Sequence, residues 1–229
     1  MSKEEYYSTK LSALRLKRCY EIAPPRIQQY LEAEIKFILE NIKSTDHVLE
    51  LGCGYGRVLA RLAEEAQFVS GIDTSEESLL YAQEYLTDFS NIKLHKMNAV
   101  SLDFEDQMFQ VVIAIQNGIS AFKVDPYKLI QESIRVTKTG GKVLFSSYSE
   151  KIWEKRLDWF IKQSEEGLIG EIDMEKSKNG IIVCKDGFIA STYTPEDFTR
   201  LSSELKLNST VEEVDESSIF WVIQVNYNH

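Results

Sequence analysis

Three glycines at alternate positions, Gly52, Gly54 and Gly56, follow the apolar run VLEL, whose acid is Glu50; a second acid, Asp73, closes the next apolar run, FVSGID. Glycine at a strand-to-helix turn lets the backbone come close to a ligand, and the helix that follows turns its unpaired N–H groups toward it. An ionised carboxylate at a strand end only accepts hydrogen bonds, which suits it to hydroxyl or ammonium groups. Dinucleotide sites are built on GxGxxG, and the place for their third glycine is taken by Arg57. The spacing is therefore GxGxG, which leaves open another adenosine-bearing cofactor.

These residues need strands and helices in alternation to hold them. VLEL, FVSGID, IKLHKM, VVIAIQ and KVLFSSY are short, mostly apolar runs, and helical patterns such as RVLARLAEEA and DPYKLIQESIRVT separate most of them. Nearly continuous apolar strands between amphipathic helices indicate a parallel sheet covered on both faces. The fold class is thus α/β, a doubly wound, mostly parallel, Rossmann-like sheet of seven strands. Its last two strands come from STVEEVDE and SIFWVIQVN, a closing hairpin. The spacing predicts a helix over 4–20, a stop at Pro24-Pro25, and a second helix whose stripe is Ile27, Leu31, Ile35, Ile38, Leu39 and Ile42. Thr139-Gly140-Gly141 reads as a left-handed helix end. Residues 149–167 read as a helix, EIDMEKS, IIVCKD and FIASTYT as a small antiparallel meander, and Thr194 with Asp197 as a capping box. The chain divides into an N-terminal helical lid, 1–43, and a cofactor domain, 44–229, with an acceptor-side insertion at about 149–194.

Bulk properties narrow the function. A net charge of -10 argues against a broad nucleic-acid surface, which needs lysine and arginine against phosphate. Locally the first 30 residues carry Lys3, Lys10, Arg15, Lys17, Arg18 and Arg26 against Glu4, Glu5 and Glu21. No apolar run is long enough to span a bilayer and no leader pattern opens the sequence, so a cytoplasmic protein without a membrane segment is expected. Cys19, Cys53 and Cys184 are odd in number and lack metal-site spacing, so free thiols and no metal are expected.

The run VLELGCGYGR, the acid in GIDTS, MNAV after the third strand and QNG after the fourth resemble, in that order, the motifs of class I S-adenosylmethionine-dependent methyltransferases, particularly their small-molecule branch. The likeness covers about residues 45–150. It implies S-adenosyl-L-methionine as cofactor, with Glu50 near the methionyl amino group and Gly52, Cys53, Gly54 and Gly56 forming the backbone cradle. It places Asp73 on the ribose hydroxyls with Thr74 beside it, Asn98 and Ala99 at the adenine, and Gln116 at the methionyl end. Asn98 stands where the family more often has Asp; its amide oxygen can still accept from the adenine amino group. QNGIS lacks the Asn/Asp-Pro-Pro-aromatic loop of amino-group methylation in that family, no Pro-Cys supports cytosine C5 chemistry, and the cysteines are too few for arsenic methylation.

A small-molecule acceptor remains the leading expectation, enclosed by the N-terminal helices and the 149–194 insertion. Tyr20, Arg26, Asn117 and Tyr148 are the acceptor-side candidates, and Tyr6, Tyr7, Trp153, Phe188 and Tyr193 are further aromatic wall candidates. His47 and His95 fall at strand starts and His229 at the end of the sequence, so no general base is named and no catalytic residue is assigned. Two alternatives stand beside this: a protein or tRNA methyltransferase docking through the basic N-terminal helix, and a cofactor-binding protein without turnover.

Overall fold

In a computed structural model, which describes residues 13–226, helices pack on both faces of one sheet. The order along the chain is α1 (Ala13–Glu21), α2 (Pro25–Asn41), β1 (His47–Leu51), α3 (Arg57–Ala63), β2 (Phe68–Asp73), α4 (Glu76–Tyr85), β3 (Ile92–Lys96), β4 (Phe109–Ala114), α5 (Gly118–Ala121), α6 (Pro126–Val136) and β5 (Thr137–Tyr148). A single 3-10 turn leads into α7 (Trp153–Glu165); β6 (Ile182–Val183), β7 (Ile189–Ala190), α8 (Pro195–Leu205), β8 (Ser209–Val214) and β9 (Ser218–Gln224) follow. The seven-stranded sheet runs β3-β2-β1-β4-β5-β9-β8, with β9 antiparallel to β5 and β8 antiparallel to β9. The order reverses between β1 and β4, the crevice where open α/β sheets bind ligands.

Periodicity explains the layers. Ile35 and Ile38 of α2 pack with α3, α4 and one sheet face, while Leu129 and Ile130 of α6 and Phe198 and Leu201 of α8 cover the other. Pro25 opens α2 in the first-turn position that proline tolerates. The capping box of α8 forms as the sequence predicts: Asp197 N–H donates to Thr194 Oγ1 at 3.2 Å, and Thr194 N–H to the Asp197 carboxylate at 3.0 Å.

Three local expectations need correction. Helix α6 ends at Val136, ahead of the glycine pair, and the chain enters β5 at once; Gly140, at φ 81°, lies where the β4–β5 register shifts, within that long strand, rather than in a helix cap. The meander shrinks to the β6–β7 ladder, because Lys176 and Ser177 N–H close a turn on Asp173 O, leaving EIDMEKS one bridge at Ile172 to Cys184. His95 is the penultimate residue of β3 rather than its start, and its ring meets Phe104 edge-on. Lys3, Tyr6, Tyr7, Lys10 and His229 lie outside the described residues.

Gly141 gives a test of the β4–β5 join. A Cβ there would sit 2.5 Å from Gln110 O and 2.8 Å from Lys138 O, both backbone atoms that cannot swing aside. Gly141→Ala is expected to lower unfolding stability by about 1–3 kcal/mol in a denaturant titration, the usual scale of overpacking.

Candidate functional site

A cavity of about 420 Å³ opens at the carboxyl ends of β1, β2 and β4. The glycine loop forms its floor. Gly52, at φ 72°, lies so close to the Phe122 ring that a Cβ would fall 2.5 Å from it, and a Cβ on Gly54 would lie 2.9 Å from Leu16. The left-handed backbone selects glycine at both, Gly54 standing at φ 53°, and at Gly52 the Phe122 ring adds a steric reason. Gly56, the residue before α3, does not line the cavity; a Cβ on it would meet Leu86 at 2.6 Å. Cys53 lines the cavity, and its N–H donates to Ile72 O at 2.9 Å, tying the loop to β2.

Asp73, the last residue of β2, works on the same loop. Its carboxylate accepts from Gly54 N–H at 2.9 Å and from Ser75 N–H at 2.8 Å. Burial raises its pKa while those backbone donors pull it back down. Thr74, Asn98 and Ala99 line the same end; the Asn98 amide oxygen accepts from Val100 N–H at 3.1 Å and keeps one lone pair.

Glu50 and Arg57 face the middle of the cavity. Glu50 is 5% exposed, and its Oε2 has no hydrogen-bond partner among the described residues. Burial pushes its carboxyl up to about 8, against the pull of the Arg57 guanidinium and with a smaller push from Asp73. Arg57, the first residue of α3, places its guanidinium 4.5 Å over the Tyr20 ring and leaves Nε and one terminal nitrogen buried without hydrogen-bond partners among the described residues. The sequence marks Arg57 only as a missing glycine, so its place at the site is a structural finding.

Beyond Gln116 the walls become aromatic: Tyr20 from α1, Tyr148 at the end of β5, Trp159 and Phe160 from α7, and Phe188 before β7. Tyr20 and Tyr148 thus reach the cavity, as does Asn117. Arg26 does not: its guanidinium is bound to Asp215 at 2.7 Å and to Asp215 O at 2.6 Å, in the turn between β8 and β9. Trp153 and Tyr193 are also absent from the lining, the latter stacked on Phe198. Trp159 is the tryptophan that α7 turns inward, its Nε1–H held by Cys19 O at 2.9 Å. Gln163 lines the cavity from the same helix, buried to 3% exposure. Burial keeps Tyr20 protonated and pushes Tyr148 and the cavity-lining Cys19 thiol up to about 12.

The loop after β4 is held on two sides. Gln116 and Asn117 adopt φ values of 55° and 65°, left-handed conformations that residues with a Cβ rarely take in succession. Asn117 Nδ2 donates to Ser191 O at 2.9 Å, and Ser147 Oγ donates to Asn117 Oδ1 at 2.8 Å. From the other side Gln116 N–H donates to the buried Glu34 of α2 at 2.6 Å. Glu34 could have been noticed in the sequence, as an acid three residues after Leu31 and four before Ile38, inside the apolar stripe. Gln116 Nε2 is buried without a partner among the described residues.

Residues 48–141 match the family model described as a methyltransferase domain. The YqeM methyltransferase sequence of Bacillus subtilis is 29% identical over 116 residues, 50% of this chain and 47% of that one. A ubiquinone biosynthesis O-methyltransferase of Coxiella burnetii is 27% identical over 134 residues, 58% of this chain and 53% of that one. The chain thus spans about half the length of the curated relatives it matches. The solved N-methyltransferase NodS of Bradyrhizobium japonicum, in complex with S-adenosyl-L-homocysteine, shares the fold with a TM-score of 0.65 at 11% identity, covering 99% of this chain and 100% of that one. Residues 48–141 thus match a methyltransferase domain, and the fold around them is the one that solved S-adenosylmethionine-dependent methyltransferases have.

The residues present fit that cofactor. A methionyl group is a zwitterion: it needs an acceptor for its ammonium and donors for its carboxylate. The unpartnered Glu50 oxygen and the unpartnered Arg57 nitrogens are such a pair, at the mouth of a glycine loop that leaves room for backbone approach.

Proposed function

We infer that the protein transfers a methyl group from S-adenosylmethionine to a small molecule bound at the aromatic end of the cavity. In this reading Glu50 takes the methionyl ammonium, Arg57 its carboxylate, Asp73 the ribose hydroxyls with Thr74 alongside, and Asn98 with Ala99 the adenine. Gln116 stands at the methionyl end, and Tyr20, Tyr148 and Asn117 on the acceptor side. Of the N-terminal helices, α1 acts as lid through Leu16, Cys19 and Tyr20, whereas α2 belongs to the layer that covers the sheet; the 149–194 segment acts as acceptor wall. The bound cofactor supplies an activated methyl on a sulfonium. The chain's task is then to align the acceptor and exclude water.

The observation that carries this reading is the continuity of one cavity from the glycine loop and Asp73 to walls of Tyr20, Tyr148, Trp159 and Phe188. The titratable side chains at that end, Tyr20, Tyr148 and Cys19, are held protonated near neutrality by burial, so they are poor bases. An acceptor that arrives with its lone pair free, such as a neutral amine, a thiolate or an acidic phenol, suits such a site.

Docking of a macromolecule through the N-terminal basic residues has less support, because the described ones are engaged internally. Arg15 donates to Gly167 O and Leu168 O at 2.6 and 2.9 Å, Arg18 pairs with Glu166 at 2.8 Å, and Lys17 donates to the Tyr81 hydroxyl at 3.0 Å. A cofactor-binding protein without turnover would have no use for an aromatic chamber beyond Gln116. Incubation with methyl-labelled S-adenosylmethionine and a fractionated cell extract separates the readings. Label is expected in the small-molecule filtrate. Label confined to the protein or RNA fraction would overturn the acceptor assignment, and binding without any transfer would favour the third reading.

A further inference from the structure

We propose that Glu34, on α2 and outside the cavity, is a positioning residue that holds the Gln116–Asn117 turn in its ligand-competent shape. The inference rests on the cofactor reading above, since Gln116 is the residue through which it acts. Glu34 has no solvent exposure. Its Oε2 accepts from Gln116 N–H at 2.6 Å and from Ser146 Oγ at 2.9 Å, and its Oε1 accepts from Ser218 Oγ.

The three donors are informative together. They lie just after β4, near the end of β5 and at the start of β9, so one side chain keys α2 to three neighbouring strands at the edge that bears the site. Helix packing alone does not require this. A leucine would continue the stripe of Leu31, Ile35 and Ile38 without the cost of burying a carboxylate, which burial penalises unless donors surround it. What leucine could not do is accept from the Gln116 N–H. That donor belongs to the first of two successive left-handed residues, so its hydrogen bond fixes the turn where the backbone is least favoured. Asn117 is anchored separately through Ser147 and Ser191. With Glu34 in place the Gln116 side chain lines the cavity and its amide nitrogen is left for a ligand.

The test compares the wild type, Glu34→Gln and Glu34→Ala by thermal unfolding, by calorimetric titration with S-adenosylhomocysteine, and by the backbone amide resonance of Gln116. In Glu34→Ala, folded by circular dichroism, affinity is expected to fall about tenfold, the scale of one lost hydrogen bond to a charged group. Glu34→Gln, which retains an amide oxygen for the Gln116 N–H, is expected to restore most of that affinity. Recorded above about pH 8, where the Glu34 carboxyl, pushed up to about 7 by burial, is ionised, the Gln116 amide proton should lie downfield in the wild type and move upfield in Glu34→Gln, where the charged acceptor becomes neutral. A folded Glu34→Ala protein with unchanged affinity would overturn the proposal. So would an unmoved Gln116 amide in Glu34→Gln, a readout that stands even if the alanine variant does not fold. Asp73→Asn serves as control: if neither the wild type nor this variant binds S-adenosylhomocysteine, the cofactor reading has failed, while the amide resonance still reports on Glu34.

Discussion

Asp73→Ala is expected to weaken S-adenosylmethionine binding by about a hundredfold or more, because in the proposed role its carboxylate accepts from both ribose hydroxyls, each such bond being worth about 1.5–3 kcal/mol. The structure adds a second reason. The same carboxylate already accepts from Gly54 N–H and Ser75 N–H, so the substitution also leaves two loop donors unpaired beside the cofactor cradle. The sequence by itself points to a fold-neutral change, since Asp73 sits at the edge of a cleft. With those two bonds in view, a stability loss of about 1–3 kcal/mol accompanies the loss of affinity. Asp73→Asn separates the two effects, because an amide oxygen can still serve one loop donor while carrying no charge toward the ribose. Calorimetry should rank the wild type above Asp73→Asn and Asp73→Ala last; equal affinities in folded variants would show that the ribose assignment is wrong.

Glu50→Gln is expected to abolish a proton release that accompanies cofactor binding in the wild type. The Glu50 carboxyl is pushed up to about 8 by burial, so near neutrality it is largely protonated before the cofactor arrives. A methionyl ammonium beside it favours the carboxylate, and binding then expels the proton. Below about pH 8 the wild-type affinity should therefore drop with falling pH, approaching about tenfold per unit, whereas Glu50→Gln should show almost no slope and bind weakly throughout. Binding enthalpies measured in buffers of different ionisation enthalpy count the proton directly. An enthalpy independent of buffer in the wild type would sink the prediction.

The same shift fixes the sign of a stability effect. Between the ordinary value of 4.5 and about 8 the folded, cofactor-free protein holds a proton on Glu50 that the unfolded chain has released. Stability therefore falls as pH rises through that window. Glu34, pushed up to about 7 by burial, contributes in the same direction over a narrower range.

The parts of this site that rest on local pattern could be read in the sequence. Alternating apolar runs and helical stripes announce the sheet, the GxGxG spacing announces the turn after β1, and the acid closing FVSGID lands beside that turn because consecutive parallel strands carry their ends to one edge. The α8 capping box is local as well. What the sequence conceals depends on which helix faces meet in space. Arg26 was credible as an acceptor-side cation until the β8–β9 turn placed Asp215 against it. Trp153 and Trp159 share α7, and only the docking of α1, with Cys19 O receiving the indole N–H, shows which one faces the cavity. Arg57 looks like a defect in a glycine pattern, and its unpaired nitrogens above Tyr20 emerge only when α1 folds over the loop.

The central claim is that this cradle accepts an S-adenosyl amino acid and not a dinucleotide, and parallel calorimetric titrations with S-adenosylmethionine, S-adenosylhomocysteine and NAD test it most directly. Both sulfur compounds are expected to bind and NAD is not. Binding of NAD alone would contradict the claim, and with it the assignments of Glu50, Arg57 and Asp73.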